Sequence, residues 1–201
     1  ASNKNKGEAL LVVNDYRRFN YEPYAFRTTN YGKTWKRIVD AEDVQSYTLS
    51  IVEDPIERNL LFLGTDDGLY VSIDAGNNWA KYTNGFPTVP VKDMVIHPRE
   101  HDLVLGTFGR SFWILDDIQP LRQYSPEMVE QEAILFRPTN AIRGVTDASI
   151  QYYLKEEKDT IQKTEQLDGM HIMTKLRMII ILLKSHQNFS IMNLIFMNNL
   201  C

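Results

Sequence analysis

The sequence predicts an all-β fold assembled from repeated blocks of short strands, and three observations carry that prediction. The first is a turn written twice. "FRTTNYGKTWKRI" and "YVSIDAGNNWAKY" share a hydroxyl, an Asn or Asp, a Gly and a Trp at matching places, 44 positions apart. The second is a longer repeat. "IVEDPIERNLLFLGTDDGLYVSID" returns, weakened, as "MVIHPREHDLVLGTFGRSFWILDD", with Pro55 answered by Pro98, Gly64-Thr65 by Gly106-Thr107 and Asp74 by Asp116. The third is the texture inside each unit. "YTLSIVED", "NLLFLGT", "GLYVSI" and "NWAKY" are rich in β-branched and aromatic residues and are punctuated by Asp-Pro, Asp-Gly and Gly-Asn. Four short strands in about 40 to 45 residues is the arithmetic of a β-propeller blade. A helical solenoid of similar period would need apolar residues at i, i+3 and i+4, which these units lack.

Taken in chain order, residues 1–118 read as two to three four-stranded blades, the repeat itself starting near residue 7. The first unit, "LLVVNDYRRFNYEPYAFRTTNYGKTW", carries six more residues between its strand-like pieces than "LLFLGTDDGLYVSIDAGNNW". Residues 119–145 read as an exit segment, with a short helix around Pro126 to Gln131 and then a strand, "AILFRP". Residues 146–168, with "IQYYLKEEKD", open a second module of β-sandwich type. Residues 169–201 form an atypical tail dense in Met, Ile, Leu and Asn. Its composition fits an out-of-frame reading of an AT-rich gene, with an amphipathic helix as the alternative. Two good blades and one degenerate blade do not close a ring of about 4 to 8. The expectation is therefore a fragment of a longer propeller, with assembly with another chain as the second option.

The repeated box has a physical rationale. Ser72 and Asp74 can accept hydrogen bonds from main-chain N–H groups of their own turn, Gly76 supplies a positive φ, and Trp79 covers the turn with apolar area. Thr28, Asn30, Gly32 and Trp35 take the same places in the first copy. These residues fasten a hairpin; they are not candidates for catalysis, and the catalytic residues are unknown.

Composition narrows the function. With 43% hydrophobic and 24% charged residues in a chain of 201, there is enough apolar material for a core. A net charge of −4 and scattered Lys and Arg argue against a nucleic-acid partner or a charged membrane surface. No apolar run reaches the roughly 18 residues of a membrane span, and the N-terminal stretch has no signal-peptide pattern. Cys201 is the single cysteine, so no disulfide forms within the chain. Nothing in the sequence calls for a cofactor.

Four constellations invite chemistry. The acidic pairs Glu53-Asp54, Asp66-Asp67 and Asp116-Asp117 are the glycosidase candidates, a reaction that sets two carboxylates about 5 to 9.5 Å apart across a bond. Neighbours on a strand point to opposite faces, so no pair serves by itself, and Asp66-Asp67-Gly68 also reads as a plain hairpin turn. His97 and His101 in "HPREHD" suggest a metal, but Pro98 prevents a helix from presenting both on one face, so no metal site is assigned. Arg27 and Arg110 could belong to the kind of arginine cluster that holds a carboxylate sugar, but no third completes the set; Arg110 and Asp116 are kept as candidate cleft residues. Finally, "NDYRRFNYEPY" gathers Tyr16, Arg17, Arg18, Phe19, Asn20, Tyr21 and Tyr24 into one candidate ligand loop. Aromatic faces with amide and guanidinium donors suit a protein or carbohydrate ligand. The plainer reading is that these rings pack the loop onto the next blade.

The two boxes resemble Asp-box repeats, whose pattern is Ser/Thr-x-Asp-x-Gly-x-x-Trp. "YEPYAFRTTNYGKTW" together with "VIHPREHDLVLGTFGRSFWILDDIQPLRQ" is similar to the closing blades of sortilin-like (VPS10-type) propellers found in bacterial proteins often labelled glycosyl hydrolases. The resemblance covers roughly residues 7 to 140. It implies a propeller followed by a β-sandwich-like module, an exported protein, and further blades as partners. It leaves two functions open: a non-catalytic scaffold that binds protein or glycan through blade loops, or an exported glycoside hydrolase with its carboxylates mostly on other blades.

Overall fold

The computed structural model describes residues 1–2, 4–125, 127–128, 131–138 and 151–154, together with the backbone of 178–183 and 192–197. Among the described residues the fold is all-β with one short helix, and its first three sheets are the blades of a partial propeller. The middle blade is complete. β4 (Thr48–Glu53), β5 (Leu61–Thr65), β6 (Gly68–Ser72) and β7 (Ala80–Tyr82) form a four-stranded antiparallel meander. The flanking sheets each have three strands. β1 (Ala9–Asp15), β2 (Asn20–Thr28) and β3 (Lys36–Arg37) correspond to the outer three strands of a blade, because the box lies between β2 and β3. β8 (Val91–Ile96), β9 (Leu103–Thr107) and β10 (Phe112–Leu115) correspond to the inner three.

The middle blade explains why its strands read as unbroken apolar runs. Every residue of β5 and β6 is buried, since the sheet is covered on both faces. Alternation then divides the side chains between two cores. Leu61, Leu63 and Tyr70 pack toward the first sheet with Ala25, Ile38, Val44 and Trp79. Phe62, Leu69 and Val71 pack toward the third with Val91, Met94, Leu103 and Leu105.

The third blade differs from its alignment. Asp66-Asp67 is a two-residue turn, with Thr65 opposite Gly68. The matching turn is one residue longer, with the Thr107 N–H donating to the Ser111 carbonyl at 3.1 Å. Leu103 therefore pairs with Leu115 where Leu61 pairs with Ser72, and Asp117 rather than Asp116 stands in the place of Asp74. A helix that the sequence reading does not anticipate precedes the expected one, of which only residues 127–128 and 131 are described, 127–128 in a 3-10 turn. α1 spans Gln119–Gln123, started by Pro120, while Pro126 and residues 129–130 lie outside the described residues. "AILFRP" does supply a strand, β11 (Ala133–Leu135), which pairs with β12 (Tyr152–Leu154). In the tail, β13 (Met178–Leu183) and β14 (Met192–Met197) form a hairpin, not the helix of the alternative expectation.

Two contacts lock the blades together and give two predictions. At the first, Gly64 lets the middle and third blades approach. A Cβ there would press on Ser50 Oγ and stand 2.6 Å from the Val91 carbonyl oxygen, to which Ser50 Oγ donates at 3.0 Å. Gly64→Ala is expected to cost about 1–3 kcal/mol by overpacking. Gly106→Ala is the control, because its nearest neighbour would be 3.6 Å away; its urea midpoint should move far less.

The second lock is ionic. Arg27, 10% exposed, reaches Glu8 at 3.1 Å and Glu53 at 3.2 Å, and Arg58 joins on Glu8. Burial pushes the Glu8 carboxyl up, but the Asn5 hydrogen bond and the Arg58 and Arg27 charges outweigh it, leaving it below its ordinary 4.5. A depressed folded-state pKa contributes stability that is complete above the ordinary value and is lost as pH falls through the folded one. Wild type should therefore lose its advantage over Glu8→Gln below about pH 4.5, and urea melts across pH 7 to 3 should show the two curves converging. Parallel curves would remove the cluster from the account.

Candidate functional site

Antiparallel topology sends successive turns to opposite ends of the blades. The two boxes, the β4–β5 and β8–β9 loops and α1 share one end. The β1–β2, β5–β6 and β9–β10 turns and the crossovers into β4 and β8 share the other, here called the loop end.

At the box end the geometry is that of a fastener. Ser72 Oγ donates to Asp74 Oδ1 at 2.8 Å and accepts from the Gly76 N–H at 2.9 Å. Asp74 Oδ1 also accepts from the Asn77 and Asn78 N–H groups, both at 3.0 Å. In the first box Thr28 Oγ1 accepts from the Gly32 N–H at 3.0 Å and Asn30 Oδ1 from the Thr34 N–H at 2.9 Å. Ala75 and Gly76, like Tyr31 and Gly32, lie at positive φ. The two tryptophans differ. Trp79 is 2% exposed and its Nε1–H donates to the Ile38 carbonyl of the preceding blade at 2.7 Å, whereas Trp35 is 42% exposed.

The acidic pairs are occupied by folding tasks. Glu53 belongs to the Arg27 cluster, and Asp54 is clasped by Arg122. Asp67 is held by Lys81 at 2.7 Å and by Thr65 Oγ1 at 2.7 Å. Asp117 accepts from the Gln119 N–H and from Gln151 Nε2, and burial raises its carboxyl pKa. Arg110 and Asp116 are both exposed but sit at opposite ends of β10, so they do not share a cleft. Arg27 at the box end and Arg110 at the loop end of another blade do not converge either. His97 Nδ1 accepts from the Glu100 N–H at 3.1 Å, and among the described residues no three His, Cys, Asp or Glu side chains gather.

The loop end of the first blade is different. Between matching paired ends the first hairpin, Ala9–Thr28, is longer than Leu61–Ser72 by two residues in β1, two in the turn and four in β2, so Asn20, Tyr21 and Tyr24 lie on a strand rather than in a loop. Tyr16–Arg18 form a 3-10 turn that ends on Phe19 at φ 61. That positive φ, costly for a bulky residue, holds the Phe19 ring 84% exposed. Below it opens a groove of about 670 Å³ lined by Phe19–Tyr24 on one wall and by Ala41, Val44 and Gln45 of the β3–β4 crossover on the other. Tyr16 lies back on Tyr47, ring centroids 5.0 Å apart, and Tyr21 tilts against the same ring at 6.1 Å. Tyr47 donates to Asp66 Oδ1 at 2.7 Å; burial first, then that carboxylate, pushes its phenol up to about 12. Arg37 stacks on Tyr24 at 4.8 Å and pairs with Glu22 at 3.6 Å. The Arg17 guanidinium lies over the Tyr16 ring, 6.0 Å from its centroid, and Arg18 is exposed with Asp15 3.9 Å away.

The packing reading holds for part of the loop. Tyr16 and Tyr21 pack onto a crossover tyrosine, while Phe19 and the outer face of Tyr21, which is 55% exposed, remain available. The second wall is invisible to sequence reasoning. Residues 38–47 carry no motif, and only the folded crossover brings them to β2.

The family model described as Sortilin, neurotensin receptor 3 (Sortilin-Vps10) matches residues 24–176. A search of curated proteins finds no match. Among solved structures, the GH74 enzyme of Niastella koreensis is similar at 15% identity and a TM-score of 0.48, over 75% of this chain and 27% of that one. The GH74 xyloglucanase from Xanthomonas campestris is similar at 18% identity and a TM-score of 0.48, over 69% of this chain and 24% of that one. The chain spans about a quarter of the length of either structure.

Proposed function

From a chain that belongs to the Sortilin-Vps10 family, we propose a non-catalytic recognition scaffold, part of a longer exported propeller, that binds protein or glycan at the loop end of its first blade. The observation that carries this is Phe19: a large apolar ring at positive φ, 84% exposed, on the rim of an open groove. Exposure and backbone strain together are unfavourable for folding; Tyr31 shares them within its box turn, and what sets Phe19 apart is its place on the rim of the groove. The residues that lengthen β2 form one wall of this groove. Further blades are supported by the outward faces of the flanking sheets, where Leu11 and Val13 on one side and Val95, Phe112 and Ile114 on the other are exposed.

Glycan and tiled-peptide arrays probed with the full chain and with a Phe19→Ser/Tyr21→Ser double variant test the reading. Ligands bound by wild type should be lost or weakened at least about tenfold in the variant. Undiminished binding by the variant would place recognition elsewhere and end the proposal.

A further inference from the structure

We propose that the groove between β2 and the β3–β4 crossover takes an uncharged oligosaccharide, an inference that rests on the recognition role above and names its ligand class. The argument begins with what the groove does not offer. β3 pairs with β2 only at Phe26 and Arg27, so among the described residues the outer edge of β2 from Asn20 to Ala25 borders the groove without a strand partner. An extended peptide would add there by main-chain hydrogen bonds if the edge were open. It is capped instead. Pro23 has no N–H, and its carbonyl accepts from Arg37 Nη2 at 2.7 Å. The Ala25 carbonyl accepts from the Ile38 N–H at 2.9 Å, so the edge is closed from Pro23 to Ala25.

What remains is side-chain chemistry. The rings of Phe19 and Tyr21 present apolar faces, and the exposed Ala41 lies across from them, with Val44 fully buried beneath. Asn20 and Gln45 contribute amides; Asn20 Nδ2 donates to the Tyr24 hydroxyl at 3.0 Å and keeps a second N–H. A pyranose has the matching pattern, an apolar C–H face with hydroxyls around its edge. Charge points the same way. Among the described residues, the one ionised side chain lining the groove is Glu22. It is paired with Arg37 at 3.6 Å, so the site offers no uncompensated charge to an acidic or basic ligand. The groove is shallow and open to solvent, which suits sugar rings laid across the aromatic wall rather than a small molecule enclosed in a cleft.

The test is a titration of the full chain with neutral hexasaccharides of gluco, manno, xylo and N-acetylglucosamine configuration, followed by calorimetry and by saturation-transfer NMR. At least one should bind saturably, with Phe19→Ala and Tyr21→Ala each weakening it about tenfold. Gln45→Ala should weaken it less, and Phe112→Ala, an exposed ring on the third blade, should leave it unchanged. All four side chains are exposed enough for the variants to fold. If no hexasaccharide binds but array peptides do so in a Phe19-dependent way, the glycan assignment is overturned and the recognition role stands. If neither class binds in a Phe19-dependent way, both are overturned. Equal loss on Phe112→Ala would show general stickiness and would also overturn the assignment.

Discussion

Arg122→Ala is expected to destabilise the chain by about 3–5 kcal/mol, the cost of removing one partner from a buried ion pair. Arg122 is 5% exposed and Asp54 is not exposed at all. The guanidinium approaches edge-on, with Nε 3.0 Å and Nη2 2.8 Å from Asp54 Oδ2. Asp54 Oδ1 also accepts from the Ile56 and Glu57 N–H groups, shaping the β4–β5 loop that begins at Asp-Pro. Truncating Arg122 leaves a carboxylate in the interior facing only main-chain donors. It also releases α1, whose Leu121 is buried in the core of the third blade. Since a domain of this size is stable by only about 5–15 kcal/mol, the loss should appear as a large drop in urea midpoint. Hydrogen exchange should rise first across Gln119–Gln123 and the β4–β5 loop. A change below about 1 kcal/mol would mean that the pair sits in water, as surface pairs do.

This contact also marks where sequence reasoning stops. The "DPIERN" turn and "IQPLRQ" are both visible as segments, but nothing in either announces a partner 68 positions away. Local signals do better. The box can be read because its hydrogen bonds run from side chains to N–H groups two to four residues on, a relation fixed by spacing. The blade repeat can be read because β5 and β6 are covered on both faces and so stay apolar without a break. The third blade shows the limit. One more residue in the turn after Thr107 shifts every later position, and aligned letters alone favour Asp116 over Asp117. The groove shows the same limit differently. Its aromatic wall stands out in "NDYRRFNYEPY", whereas Ala41, Val44 and Gln45 become a wall only through the path of the crossover.

The two box tryptophans, identical in the motif, are expected to respond very differently to truncation. Trp79→Ala should cost about 3–5 kcal/mol, the range for a buried aromatic removed from a core. Its ring is 2% exposed among Leu61, Leu63 and Tyr70, and its indole N–H reaches the Ile38 carbonyl, which the variant would leave without its donor. The backbone N–H of Trp79 is bound as well, to Asp43 Oδ2 at 3.1 Å, so the box of the middle blade is tied at two points to the strand leaving the first. Trp35 occupies the same place in its own turn, but it is 42% exposed, and Trp35→Ala should cost less than about 1 kcal/mol. The contrast separates two roles for the motif. If the tryptophan served only to cover its own turn, both substitutions would cost about the same, because both turns have the same hydroxyl-to-glycine hydrogen bond. If it joins one blade to the blade before it, the cost should follow the neighbour. Adding the preceding part of a longer propeller should then raise the cost of Trp35→Ala toward that of Trp79→Ala, while leaving Trp79 unaffected. Thermal and urea unfolding of the four proteins, two variants in two lengths, measures this directly. Equal costs for the two tryptophans in the chain as it stands would refute the blade-joining role.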